Sequence, residues 1–119
     1  MRFPWKIIGA ALEVHRFLRN GFQEVIYQRA LALELARVGL TFAREIEQDI
    51  FYKECPEPIG TRRADSVVEG KVLVELKAIA VLEAVHTAQM LNYLKAYRME
   101  VGLLVNFGGK SLEFKRLVL

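Results

Sequence analysis

Cysteine is nearly missing from this 119-residue sequence, in which Cys55 stands alone. One thiol closes no internal disulfide and builds no cysteine-rich zinc site, so a hydrophobic core must hold the fold, and a reducing cytoplasm is the simplest compartment. Long apolar runs are missing as well. The early stretch over residues 7–14 is broken by Glu13 and followed by His15 and Arg16. It falls short of the roughly 18 apolar residues that a membrane span needs, and no membrane partner is expected. It also lacks a small-residue cleavage site and is not expected to act as a signal peptide. Repeats and low-complexity tracts are absent. Neither charge sign dominates: 17 Lys and Arg against 14 Asp and Glu leave a net charge of +3. That balance permits an anionic partner without demanding one. The length suits one domain, residues 1–119, with a single core.

What is present reads as alternating helices and strands. Ile7, Ile8, Ala11, Leu12, His15 and Leu18 recur at helical spacing and predict a helix over residues 5–18, with Pro4 tolerated at its start. Asn20 is the expected N-cap of a second helix over 21–38, with Gln23 closing a capping box and Gly39 ending it. Partial alternation predicts a strand over 41–52, and Pro56, Pro58 and Gly60 mark a loop. Residues 62–68 and 72–78 read as two strands joined at Glu69-Gly70, and 82–97 as a third helix. The nearly unbroken apolar run 101–107 predicts a strand buried on both faces. A turn at Gly108-Gly109 leads to a last strand over 112–117. The order α-α-β-β-β-α-β-β predicts an α/β fold, a mixed sheet flanked by helices.

The chemistry concentrates in Asp65 and in Val74-Glu75-Leu76-Lys77. Glu75 and Lys77 are two apart in a strand and share a face, while Leu76 points the other way. An acid and an amine amid Val and Leu are costly to bury without partners, which suggests a site at the strand's end. Asp65 joins that site only if the hairpin register allows it. A two-residue turn would pair Val68 with Lys71 and Asp65 with Val74, on the wrong face. A three-residue loop, residues 68–70, pairs Val67 with Lys71 and Asp65 with Leu73, on the face of Glu75 and Lys77. Gly70 then takes the left-handed third position that such loops favour. This loop, or an equivalent bulge, is the expectation.

The spacing Asp-x9-Glu-x-Lys resembles the signature of the PD-(D/E)XK nuclease superfamily. Three further stretches, in the expected order, resemble its small GxxExxY group: Gly21 to Tyr27, His86 to Leu94 with Gln89 and Tyr93, and Val101 to Gly108. The resemblance implies a restriction-endonuclease-like fold. It implies Asp65, Glu75 and Glu24 as metal ligands, joined by the Leu76 backbone carbonyl. It implies Lys77 as the group that orients water and offsets phosphate charge, and Gln89 and Tyr93 as residues that position the phosphate. The sequence departs from the group at Ala80 and Ala84, where an acid and a proline are expected; this bears on substrate contacts more than on the metal.

The implied activity is Mg²⁺-dependent hydrolysis of nucleic-acid phosphodiesters, with Mn²⁺ as a substitute and DNA as the expected substrate. Hard carboxylate oxygens suit that ion. Without it, Glu24, Asp65 and Glu75 would repel one another and at least one pKa should rise. Two other readings stay open: a nucleic-acid-binding module without turnover, and a protein-interaction subunit of a DNA-processing or defence complex. A homodimer is open for a duplex-cutting version. His15 reads as structural, and His86 as a cap or packing residue at least as readily as a catalytic one. Arg62, Arg63, Lys71, Lys95 and Arg98 form a candidate phosphate-facing patch.

Overall fold

A computed structural model describes residues 3–119; for Phe3, Glu45, Ile46, Gln48, Arg62 and Arg63 it describes the backbone and not the side chain. The elements are α1 (Phe3–Leu18), α2 (Glu24–Arg37), β1 (Phe42–Ile50), β2 (Gly60–Val68), β3 (Val72–Lys77), α3 (Ala84–Tyr97), β4 (Val101–Asn106) and β5 (Glu113–Val118). This is the order expected from the sequence. The strands form one mixed sheet in the order β1-β2-β3-β4-β5. Only β3 and β4 are parallel, because α3 connects them, and the other neighbours are antiparallel. The arrangement is restriction-endonuclease-like.

Helices cover both faces of the central strands, which explains their unbroken apolar runs. On one face Val72, Val74 and Leu76 of β3 and Leu103 and Val105 of β4 pack with Phe107 beneath α1 and α2. On the other, Leu73 and Leu104 pack against Met90 and Leu94 of α3. Gly102 lets α3 lie close: a Cβ there would stand 3.1 Å from the Met90 sulfur. The ends of β3 and β4 are bolted by Asn106, which is fully buried. Its Oδ1 accepts the N–H groups of Ile79 and Gly108, each at 3.0 Å. Its Nδ2 donates to the Ile79 carbonyl at 3.0 Å and to the Glu113 carboxylate at 2.9 Å. A buried amide with all these partners fixes one register, since any slip would strand several polar groups.

Two local expectations need correction. Asn20 does not cap α2. The chain leaves α1 through Arg19 and Gly21, both with left-handed φ (61° and 114°), and this turn carries Asn20 away to donate to the Gly108 carbonyl at 3.3 Å. The N-cap position is Gln23, whose side chain makes no capping bond. The β2–β3 loop has three residues, as expected, but it comprises Glu69, Gly70 and Lys71, and Val68 pairs with Val72. The Glu69 carboxylate accepts the backbone N–H of Thr41 at 2.8 Å, and the Glu69 N–H donates to the Thr41 carbonyl at 2.8 Å. These bonds hold Glu69 out of the ladder. The pairing is shifted by two residues, so Val67 faces Leu73 instead of Lys71, and Asp65 lies just beyond the last ladder pair instead of opposite Leu73.

Candidate active site

Glu24 owes its position to the turn before it. Tyr27 is completely buried and stacks on Phe107 with ring centroids 4.7 Å apart. Its hydroxyl donates to the Arg19 carbonyl at 2.6 Å and accepts the Phe22 N–H at 3.1 Å. Gly21 supplies a backbone conformation that other residues adopt at a cost. Gly21 and Tyr27 together bind the α1–α2 connection to the core. Glu24 is thereby set in the first turn of α2, half-buried, on the side of the sheet where β2 and β3 separate.

That separation is the main feature of the site. The β2–β3 ladder holds three residue pairs, ending at Ser66 opposite Val74. Beyond it β2 stays with β1, and β3 stays with β4. The strands fork, and the Asp65 carboxylate fills the gap. Its Oδ2 accepts the Leu76 N–H at 2.7 Å, replacing a ladder bond, and its Oδ1 accepts the Gln28 side-chain amide at 2.8 Å. Gln28 also donates to Glu24 Oε2 at 3.2 Å, so one amide braces both acids. Sequence reasoning missed Gln28. Its position one helical turn after Glu24, on the same face of α2, was the available signal.

Glu75 and Lys77 open toward α3. With His86, Gln89, Met90, Tyr93 and Leu104 they line a small cleft of about 40 Å³. Glu75 is buried, Lys77 and Tyr93 are half-buried, and Gln89 is exposed. Gln89 and Tyr93 thus share the cleft, as their spacing suggested. His86 caps α3: its Nδ1 accepts the Glu83 N–H at 3.0 Å. His15 is structural, bonded through Nε2 to the Gly109 carbonyl at 2.9 Å and stacked near Phe107. Of the expected phosphate patch, Arg62 and Arg63 have side chains outside the described residues. Lys95 and Arg98 lie at the far end of α3, and Lys71 sits in the β2–β3 loop.

The electrostatics tie the two halves together. Glu24 has its pKa raised above the usual carboxylate range, first by burial, then by the negative field of Asp65, and against the opposing pull of Lys77. Lys77 is therefore felt on the α2 side of the fork while it lines the α3 cleft. Among the described residues, no three His, Cys, Asp or Glu side chains are drawn together into a metal cage. The donors nonetheless fit a hard divalent cation in kind: they are carboxylate oxygens, and the charge of Asp65 raises the cost of ionising Glu24.

The fold is a mixed sheet that forks at Asp65 of β2, with Glu75 and Lys77 on the neighbouring β3. Comparison with known proteins gives the family. The sequence model of the PD-(D/E)XK nuclease superfamily matches residues 3–117, and the chain belongs to that superfamily. No curated protein matches it. Among solved structures it is similar to that of SSO0001, with a TM-score of 0.50 and 12% identity, over 99% of this chain and 77% of that one. At that identity the likeness speaks for the fold alone.

Proposed function

We propose that this protein is a metal-dependent nuclease of the small GxxExxY group that hydrolyses phosphodiester bonds in DNA, with residues 1–119 acting as one catalytic domain. The observation that carries this reading is the fork. Asp65 bonds to the Leu76 N–H at 2.7 Å at the end of the sheet that bears Glu75 and Lys77. In a strand, a residue's N–H and carbonyl point to the same neighbour, so the Leu76 carbonyl is directed to the Asp65 side as well. Asp65, Glu75, Glu24 and that carbonyl would hold Mg²⁺, or Mn²⁺ in its place. When bound, such an ion acidifies water and offsets charge on the phosphate.

The chain's own residues do the rest. Gln28 keeps Asp65 and Glu24 in one orientation. Lys77, a compact cation, holds a non-bridging phosphate oxygen and steadies the attacking water. Gln89 and Tyr93 donate from α3 to the phosphate or to the nucleotide beside it and set its angle to the attack. Tyr93 has its ring stacked on Tyr97, with centroids 6.1 Å apart, which limits its swing.

The specific observation favouring a second reading is that the acids do not converge on one point among the described residues. A nucleic-acid-binding or protein-interaction module that keeps the fold without turnover would look the same. Cleavage assays on single-stranded, duplex and flapped DNA and on RNA, with Mg²⁺ or Mn²⁺, separate the two. The proposal expects cleavage that falls at least about 100-fold in Asp65→Ala, Glu75→Ala and Lys77→Ala. Cleavage that survives these changes rejects the site, and binding without cleavage under either ion favours the module. Among the described residues, no helix is long and apolar enough to cross a membrane. The exposed, solitary Cys55 suits a reducing cytoplasm. A homodimer would give a duplex-cutting form two sites.

A further inference from the structure

The cleft at Glu75 and Lys77, about 40 Å³, is too small to hold a nucleotide. A much larger groove of about 440 Å³ opens on the same helix, further from its start, lined by Phe51, Tyr52, Lys53, Asn92, Lys95, Ala96 and Arg98. It is continuous with a depression formed by Asp49, Phe51, Ala96, Tyr97 and Arg98. Two aromatic rings stand in it unburied, Phe51 at 40% and Tyr52 at 54% exposure. The loop that carries them is fastened at its base, where the Ile59 N–H donates to the Ile50 carbonyl at 2.8 Å. The Lys53 ammonium lies over the Tyr52 ring, 5.2 Å from its centroid. Three cations, Lys53, Lys95 and Arg98, flank the rings, and Asp49 is the one acid among the described lining residues.

We infer that this groove holds an unpaired nucleic-acid segment leading away from the scissile phosphate, and that the preferred substrate has a single-stranded portion there. The inference deepens the nuclease reading and rests on it for the identity of the occupant. Exposed aromatic rings beside cations are the means by which proteins hold unpaired strands: bases stack on the rings and phosphates meet the charges. A duplex keeps its base faces within its own stack and has none to offer Phe51 or Tyr52. Geometry sets the direction. Gln89 and Tyr93 serve the cleft, while Lys95 and Arg98 lie roughly 9–13 Å from Gln89 and roughly 3–8 Å from Tyr93 further along the helix, where neighbouring nucleotides would pass. Asn92 supplies an amide between the two regions for base edges.

The experiment is fluorescence anisotropy with the whole protein in EDTA, so that binding is read without cleavage. The probes are a fluorescein-labelled 12-nucleotide oligothymidylate and a 12-base-pair hairpin duplex. The inference expects tighter binding of the oligothymidylate. Phe51→Ala combined with Tyr52→Ala should weaken it at least about 30-fold. Lys53→Gln, Lys95→Gln and Arg98→Gln together should reduce the slope of log K against log salt by about 2. All five residues are exposed, and an unchanged thermal midpoint in each variant shows that the fold is kept. Equal affinity for the duplex, or unchanged affinity in the aromatic variant, overturns the inference. So does displacement by polyglutamate as readily as by unlabelled oligothymidylate, which would mark a general anion site or an acidic protein partner. Aromatic-dependent oligothymidylate binding in a protein that cuts nothing would uphold the groove and overturn the nuclease reading alone.

Discussion

The Tyr27 hydroxyl offers a sharp test of how Glu24 is placed. Tyr27→Phe removes one oxygen and keeps the ring, so the stack on Phe107 at 4.7 Å survives. The change deletes the bond donated to Arg19 and the bond accepted from Phe22. Arg19 is exposed and Phe22 is half exposed, so water can reach the abandoned carbonyl and N–H and recover part of the loss. The cost should therefore fall at about 1–2 kcal/mol, toward the low end for broken hydrogen bonds. For a chain of this length that lowers the thermal midpoint by roughly 4–8 °C. The turn that sets Glu24 loosens, and metal-dependent cleavage should fall less than about tenfold, well short of the loss in Asp65→Ala. Circular dichroism melts and cleavage rates on one preparation measure both. An unchanged midpoint with a loss as deep as that of Asp65→Ala would refute the reasoning, because it would put the hydroxyl in the chemistry instead of in the turn.

Two further outcomes follow from the same geometry. Glu24 has a raised folded pKa, so its contribution to stability is full below the unfolded value near pH 4 and is lost as pH rises through the folded value. Glu24→Gln should then be more stable than the parent at pH 7, by about 0.5 kcal/mol because water screens a half-buried carboxyl. The two should converge below about pH 4 in urea titrations across pH, and a gap that widens toward acid would reverse the sign. Mg²⁺ at about ten times its dissociation constant should add about 1.4 kcal/mol and raise the midpoint by roughly 5 °C. Asp65→Asn and Glu75→Gln should each abolish that rise, and a rise that persists in both locates the ion elsewhere.

Much of this fold could be read from residues because its signals are local. The unbroken run over 101–107 meant a strand covered twice, and helices do cover both faces of β4. Loop parity at Gly70 predicted Asp65 on the face of Glu75 and Lys77, but beyond the fork its carboxylate meets Gln28 of α2 and the Leu76 N–H, while Glu75 and Lys77 line the α3 cleft. The reading failed where a distant group decided the outcome. Asn20 has the chemistry of a cap, but the left-handed turns at Arg19 and Gly21, held by Tyr27, send it to Gly108 instead. The loop register slipped by two residues because Thr41, nearly thirty positions away, binds Glu69. The ExK spacing gives no hint that Asp65 would take a ladder position against Leu76, or that Gln28 would brace two acids. Those depend on strands separating in space, which no periodicity encodes.

The central claim is that Glu24, Asp65 and Glu75, now divided between the two sides of a fork, share one cation. A crystal of this protein grown with Mn²⁺ and measured at the manganese absorption edge tests it most directly. The account predicts an anomalous peak within the fork, in contact with the Asp65 and Glu75 carboxylates and the Leu76 carbonyl. A peak that leaves Glu75 in the α3 cleft, or no peak near Asp65 at millimolar metal, would contradict it.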